Sequence, residues 1–274
     1  MTTVGIATGA GGGVGAACAR RLADRVDVLL LADRNEAAAA EIAKDLSGYG
    51  ERAVLEPVGV DVTDPEDLAR LARRVGETGA LRAVAHAESV APEEGDWRRI
   101  VEVDLVGTVL LAEALRPLAG AGTAFVYCAS VSPLIAHIEP DPTVAAVLDE
   151  PMDEGFVDRI RDAIGPAVED PAWAYPWATY GVQRFARAEA VRLGPVGARV
   201  CSVSPGAIDT PQTRMEAERH ESVRQLIRST PLGRTGRYEE VAAVVAFLLS
   251  DEAGFVSGVD LVVDGGLLAA VDGT

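Results

Sequence analysis

Residues 3–24, TVGIATGAGGGVGAACARRLAD, decide the fold. The run TVGIAT (3–8) is short and apolar, as in a buried strand. GVGAACARRLAD (13–24) places small and apolar residues on one side of a helix. Between them, TGAGGGVG (8–15) closes the strand and opens the helix. In that setting a glycine loop meets a pyrophosphate with its backbone N–H groups. Gly9 and Gly13 are expected to permit the turns, and Gly15 a close helix–sheet approach, with Thr8 and Val14 beside them.

The same alternation runs outward from this unit. Strands are expected within 26–33, 52–64, 81–87 and 122–130, with helices over 35–50, 65–79 and 96–120. After residue 178 come a helix (179–194), a strand (198–205), a helix (238–250) and a last strand (260–266). This rhythm predicts an α/β fold: a Rossmann-type, doubly wound parallel sheet in three αβα layers, as a single domain over 1–274. Residues 134–178 break the pattern. They are acidic and proline-rich, and read as a long loop containing one short helix, VDRIRDAIG (157–165). A loop of that length is uncommon unless it is functional.

Composition narrows the function. A net charge of −17 excludes a basic nucleic-acid surface and reads as a solubilising one. The longest apolar run, VAAVVAFLL (241–249), is too short to span a bilayer, and the first residues do not resemble a signal peptide. Three cysteines, Cys18, Cys128 and Cys201, are too far apart for a metal or redox motif. A reduced, cytoplasmic protein without membrane or nucleic-acid partners is expected. Lys44 is the only lysine and Asn35 the only asparagine.

Asp33 closes the second expected strand, 18 residues after Gly15. An acidic residue there bonds a ribose 2′-hydroxyl and repels a 2′-phosphate, which favours NAD over NADP. The adjacent Arg34 could instead receive that phosphate. Asp61 is placed to meet an adenine amino group, or to serve as a turn or cap aspartate in DVTDPED (61–67).

Together, Thr8-Gly9-x-x-x-Gly13-x-Gly15, Asp61, Ser130, Tyr180, VSPGAIDTP (203–211) and LVVDGG (261–266) resemble a classical short-chain dehydrogenase/reductase. The insertion before the tyrosine is similar to the branch of 3α-hydroxysteroid and coniferyl alcohol dehydrogenases. The resemblance implies hydride transfer between a nicotinamide and an alcohol or carbonyl. It makes Tyr180 the proton-transfer group and Ser130 the group that steadies the substrate oxygen, with Ser132 as the alternative serine. It places Val62 and Ala87 beside the cofactor, and Pro205, Gly206, Ile208 and Thr210 at its nicotinamide end. It also implies a homo-oligomer, a tetramer or dimer.

Three positions depart from the family pattern. Its asparagine is Asp104, its lysine is Arg184, and its Asn-Asn-Ala-Gly is Ala85-His86-Ala87-Glu88. Free tyrosine has a pKa of about 10, and a nearby cation lowers it by roughly 1–3 units. Arg184 could supply that charge and hold a ribose, but it cannot release a proton. Asp104 would oppose it, and the two are expected either to pair fork to fork or to leave function intact. The insertion carries Phe156, Trp173, Tyr175 and Trp177, suited to a lid over a lipophilic substrate, to core packing or to a subunit contact. His86 and His137 read as structural. Two function classes follow: an NAD(H)-dependent oxidoreductase on a small lipophilic, steroid-like or aromatic alcohol or carbonyl, and an NAD-binding protein with weak or no dehydrogenase activity.

Overall fold

The computed structural model describes residues 1–47, 52–219 and 221–273. In chain order the first half runs β1 (Thr3–Thr8), α1 (Gly13–Leu22), β2 (Val28–Asp33), α2 (Glu36–Leu46), β3 (Val54–Gly59), α3 (Pro65–Thr78) and β4 (Ala80–His86). A continuous helical path follows. It is α4 (Trp97–Ile100), a π-helical segment (Val101–Gly107), α5 (Thr108–Leu115) and a 3-10 turn (Arg116–Leu118), leading to β5 (Ala124–Cys128). Then come α6 (Ser132–Ile135), α7 (Pro142–Leu148), α8 (Phe156–Ile164), α9 (Pro171–Leu193) and β6 (Arg199–Pro205). The chain ends with α10 (Pro211–Arg219), α11 (Glu221–Ser229), α12 (Tyr238–Leu248), β7 (Asp260–Val263) and α13 (Leu267–Asp272).

Among the described residues, seven strands form one parallel sheet in the order β3-β2-β1-β4-β5-β6-β7. The order reverses between β1 and β4, which opens a crevice at their carboxyl ends, the usual ligand position in such sheets. Two apolar clusters cover the two faces of the sheet. One holds Ile6, Leu30, Val84, Phe125 and Val200; the other holds Ala7, Leu29, Leu31, Val126 and Val203. Alternate residues of each strand thus go to opposite layers, as the period of a strand requires.

Some of the acid has a structural use. Asp64, Asp96, Asp141 and Asp170 each cap a helix by accepting a backbone N–H of its first turn. Such caps contribute about 1 kcal/mol apiece.

The reading of 134–178 as mostly loop is corrected. α6, α7, α8 and a 3-10 turn (Pro166–Glu169) fill it, and α9 begins at Pro171 rather than at 179. Asp170 with Pro171 is an ordinary helix start, and Pro176 is accommodated inside the helix. The insertion is also not a free flap. Val144, Leu148, Phe156, Ile160 and Val168 are buried in the core cluster, whereas Trp173 remains 49% exposed. The expected single helix over 96–120 keeps its course but changes type at 101 and 108. Helices α10, α11 and α13 were not anticipated. Among the described residues no helix is long and apolar enough to cross a membrane.

Candidate active site

At the carboxyl end of β1, Gly9 and Gly13 take positive φ values of 62° and 53°. Gly15 is required by space: a Cβ there would lie 2.1 Å from the Gly9 carbonyl oxygen. No side chain caps the start of α1, and its first turn carries no acid. The N–H groups of Gly13, Val14 and Gly15 are thereby left for an anion, so this cradle fits a dinucleotide diphosphate. Asp33, at the end of β2, accepts from Gly11 N (2.8 Å) and Asn35 N (2.8 Å), which bends the loop towards β2. Arg34 is exposed beside it. Asp61 is built into its turn: Thr63 donates to it from N (2.9 Å) and Oγ1 (2.6 Å), and Arg99 lies 3.5 Å away. Burial pushes its carboxyl pKa up, but these donors win and hold it low.

On the other side of the crevice, Ser130 follows β5. Ala129 N and Val131 N donate to the carbonyls of Val203 and Pro205, stitching this loop to β6. Buried Gln183 on α9 donates from Nε2 to the Ser130 carbonyl (3.0 Å) and to Ser204 Oγ (2.8 Å). Helix α9 is fixed at its far end by the Glu189 carboxylate, 1% exposed and held by the Arg116 guanidinium (2.7 Å). Gly181 lets α9 approach the π segment, because a Cβ there would meet Leu105 at 2.5 Å. Gly206 rests on Asp264, Ile208 bridges to Gly236, and the Thr210 and Thr213 hydroxyls pair at 2.9 Å.

The tyrosine that reaches Ser130 is Tyr175. Its hydroxyl lies close enough to the Ser130 and Ser89 side chains to be pulled down in pKa by both, and it feels the charge of Asp104. Burial, then Asp104, push its pKa up to about 12, against the pull of the two serines. Ser130 is 6% exposed, and its Oγ also pairs with Ser132 Oγ (2.9 Å). Tyr180 lies five residues further on, about 140° round the helix at 100° per residue. It meets the Trp177 ring edge-on (6.4 Å) and lies 6.0 Å below the Arg184 guanidinium.

The expected pairing of Asp104 with Arg184 is therefore corrected. Arg184 makes a bidentate pair with Asp149, the residue after α7 (2.9 and 2.7 Å). Asp149 first, and the Tyr180 hydroxyl to a smaller extent, raise the arginine pKa. Asp104 is 3% exposed and accepts from Ser89 Oγ (3.0 Å) and Val90 N (2.8 Å). Burial pushes its carboxyl up to about 8, despite those two bonds and with help from Glu88 and Glu94. Its carbonyl accepts from Thr108 Oγ1 (2.6 Å).

His86 links the two sides. Its Nδ1 meets Thr8 Oγ1 (2.7 Å) and its Nε2 meets Thr108 Oγ1 (2.9 Å). Thr108 spends its proton on Asp104, so Nε2 must donate to it, and Nδ1 accepts from Thr8. Burial pulls the ring down to about 4, so it is neutral and structural at ordinary pH. Glu88, after β4, reaches the Gly9 backbone. Burial, then Asp33, push its carboxyl up to about 7.

Sequence reasoning did not place Tyr175, Ser89 or Gln183 beside Ser130, where the structure brings them. The Asp-Pro start at 170–171 could have placed Tyr175 on the helix. Tyr-x-x-x-Arg at 180–184 drew the assignment instead, because it mimics the expected motif. A surface groove of about 640 Å³ between α3 and α5 contains none of these residues.

The comparisons with known proteins agree with this architecture. A family model described as enoyl-(acyl carrier protein) reductase matches residues 9–145 and 164–268. The chain belongs to the short-chain dehydrogenase/reductase family. It is 34% identical to cis-4-hydroxycyclohexanecarboxylate dehydrogenase of Sinomonas cyclohexanicum, over 97% of this chain and 96% of the relative. It is 32% identical to cyclohexanol dehydrogenase of Acinetobacter sp. (strain SE19), over 96% and 93%. A crystal structure of a short-chain type dehydrogenase/reductase from Mycobacterium marinum superposes with a TM-score of 0.74 at 27% identity, covering 97% of this chain and 95% of that one. The chain is a short-chain alcohol dehydrogenase, of a family that uses a nicotinamide cofactor.

Proposed function

We propose that this enzyme is an NAD-dependent dehydrogenase of small cyclic secondary alcohols, with Tyr175 as the proton-transfer group. The observation that carries this reading is the Tyr175 hydroxyl beside Ser130 at the carboxyl end of β5. A bound nicotinamide would take or give the hydride. The chain's own part is to hold the substrate oxygen between Ser130 and Tyr175 and to move one proton at the tyrosine oxygen. Thr8, Gly9, Gly13, Val14 and Gly15 would cradle the diphosphate, and Asp33 the adenosine ribose. Asp61, Val62 and Ala87 would line the adenine side. Pro205, Gly206, Ile208 and Thr210 would close over the nicotinamide. Asp33, Asp61 and Glu88 together disfavour a 2′-phosphate, which supports NAD over NADP. The names of the relatives support a cyclic alcohol as substrate. The insertion bears on the substrate side through the Asp149–Arg184 pair. An assembly of identical chains belongs to the same reading, supported by the apolar α3–α5 groove.

A second reading, cofactor binding with weak turnover, draws on Thr179. It stands four residues after Tyr175, where a cation would lower the tyrosine pKa, and its hydroxyl donates to the Tyr175 carbonyl (2.8 Å). One experiment separates the two. NADH binding is titrated by fluorescence, and NAD reduction is followed with cyclohexanol and 4-hydroxycyclohexanecarboxylate. Turnover that disappears in Tyr175→Phe, with NADH binding kept, is expected. Binding without tyrosine-dependent turnover would favour the second reading.

A further inference from the structure

The buried carboxyl of Asp104 takes no part in an ion pair with Arg184, and the roles assigned so far leave it unused. Its two oxygens are held by different donors: Oδ1 by the Val90 N–H and Oδ2 by the Ser89 hydroxyl. Ser89 is an exposed residue, whereas Asp104 is buried. Ser89 also reaches the Tyr175 hydroxyl, and Tyr175 reaches Ser130. The four side chains thus form one file from a buried acid to the serine at the substrate position. The groups facing Asp104 are Glu88 and Glu94 from the segment after β4, and Tyr175 from α9. None of these is a cation.

We propose that Asp104 is the proton store of this site, exchanging its proton with Tyr175 through the Ser89 hydroxyl. The inference rests on the assignment of proton transfer to Tyr175. In carbonyl reduction the Tyr175 O–H bond breaks and its proton goes to the substrate oxygen. The tyrosine oxygen takes the Ser89 proton, and Ser89 takes the proton of the Asp104 carboxylic acid. A carboxylate remains on Asp104, held by the Val90 N–H and the restored Ser89 O–H. After product leaves, solvent returns the proton at Ser89. In alcohol oxidation each transfer runs backwards, and Asp104 receives the proton. The route needs no proton from the position four residues after Tyr175, where Thr179 stands. A carboxyl held near neutrality by burial can serve in both directions; one at its ordinary pKa would stay ionised.

The test uses Asp104→Asn and Ser89→Ala in the full chain. For wild-type oxidation of cyclohexanol, kcat/KM should rise about tenfold per pH unit and level off once Asp104 has ionised. Both variants should lose that plateau and fall at least about tenfold below wild type near pH 8, with unchanged NADH affinity. In the free protein, infrared spectroscopy should show a carboxylic-acid band that titrates near the same pH. The band should be absent in Asp104→Asn and retained in Ser89→Ala. A wild-type plateau that survives in either variant overturns the proposal, as does an Asp104 ionised at every pH. If Tyr175→Phe keeps wild-type turnover, the tyrosine assignment has failed. If Tyr175→Phe is dead while both variants keep the plateau, only the Asp104 proposal has failed.

Discussion

Helix α9 shows two different sides. Around Tyr175 it meets hydroxyls and a buried acid: Ser130, Ser89 and Asp104. Around Tyr180 it meets an ion pair, Arg184 with Asp149, and the indole of Trp177. Each side has a tyrosine followed four residues later by a polar residue, Thr179 in one case and Arg184 in the other. Only the second has a cation, and only the first has the serine. Spacing along a helix therefore does not tell the two tyrosines apart; the strand end that faces each of them does.

The sharpest way to break this contrast is to remove each hydroxyl in turn. Tyr175→Phe is expected to lower kcat/KM by about 10²–10⁴-fold, and Tyr180→Phe by no more than a few-fold. The reverse order in steady-state assays would return proton transfer to Tyr180. Next in size is Thr179→Lys, which places a cation one turn beyond Tyr175. It should move the alkaline rise in the tyrosine's ionisation down by roughly 1–3 units, read from an ultraviolet pH titration. Because Thr179 is 2% exposed, overpacking should also cost about 1–3 kcal/mol in denaturant unfolding. On the other side, Arg184→Ala should cut the tie between α9 and α7. Proteolysis within 134–170 should quicken several-fold, while the tyrosine titration stays where it was.

The smallest expected effect is on stability against pH. Asp104 and Glu88 both bind protons more tightly folded than unfolded. Raised carboxyl pKa values make the folded state lose stability as pH rises from their unfolded values of about 4 towards 7 and 8. Their stabilising share is complete below that window and gone above it. Thermal melts from about pH 5 to pH 9 should therefore slope downwards, and Asp104→Asn should flatten the slope. A wild-type curve without that slope would remove the case for a neutral buried Asp104.

Much of the fold was legible because it is local. Thr3–Gly15 carries its own strand, turn and helix signals, and β2, α2, α3 and β6 fall within the expected ranges. The insertion was not legible, since its prolines open helices (Pro142, Pro171) or ride inside one (Pro176). The glycine loop between β1 and α1 was read from the order of its glycines. The Arg184–Asp149 contact spans 35 residues, and the Asp104–Ser89 bond depends on a π segment that has no local signature here. Tyr175 was hidden for the same reason: its partners come from the segments after β4 and β5 and from the π segment, far away in sequence.

The file Thr8–His86–Thr108 ends on the carbonyl of Asp104. Two methyl-bearing hydroxyls and one neutral ring thus act as a ruler between the glycine loop and the buried acid, and on the proposed reading between diphosphate and substrate. A ruler of fixed length leaves little play in how far a substrate carbon sits from the nucleotide. Adaptation to a larger or smaller ring would then fall to the far wall, where Asp149 ties α7 to α9.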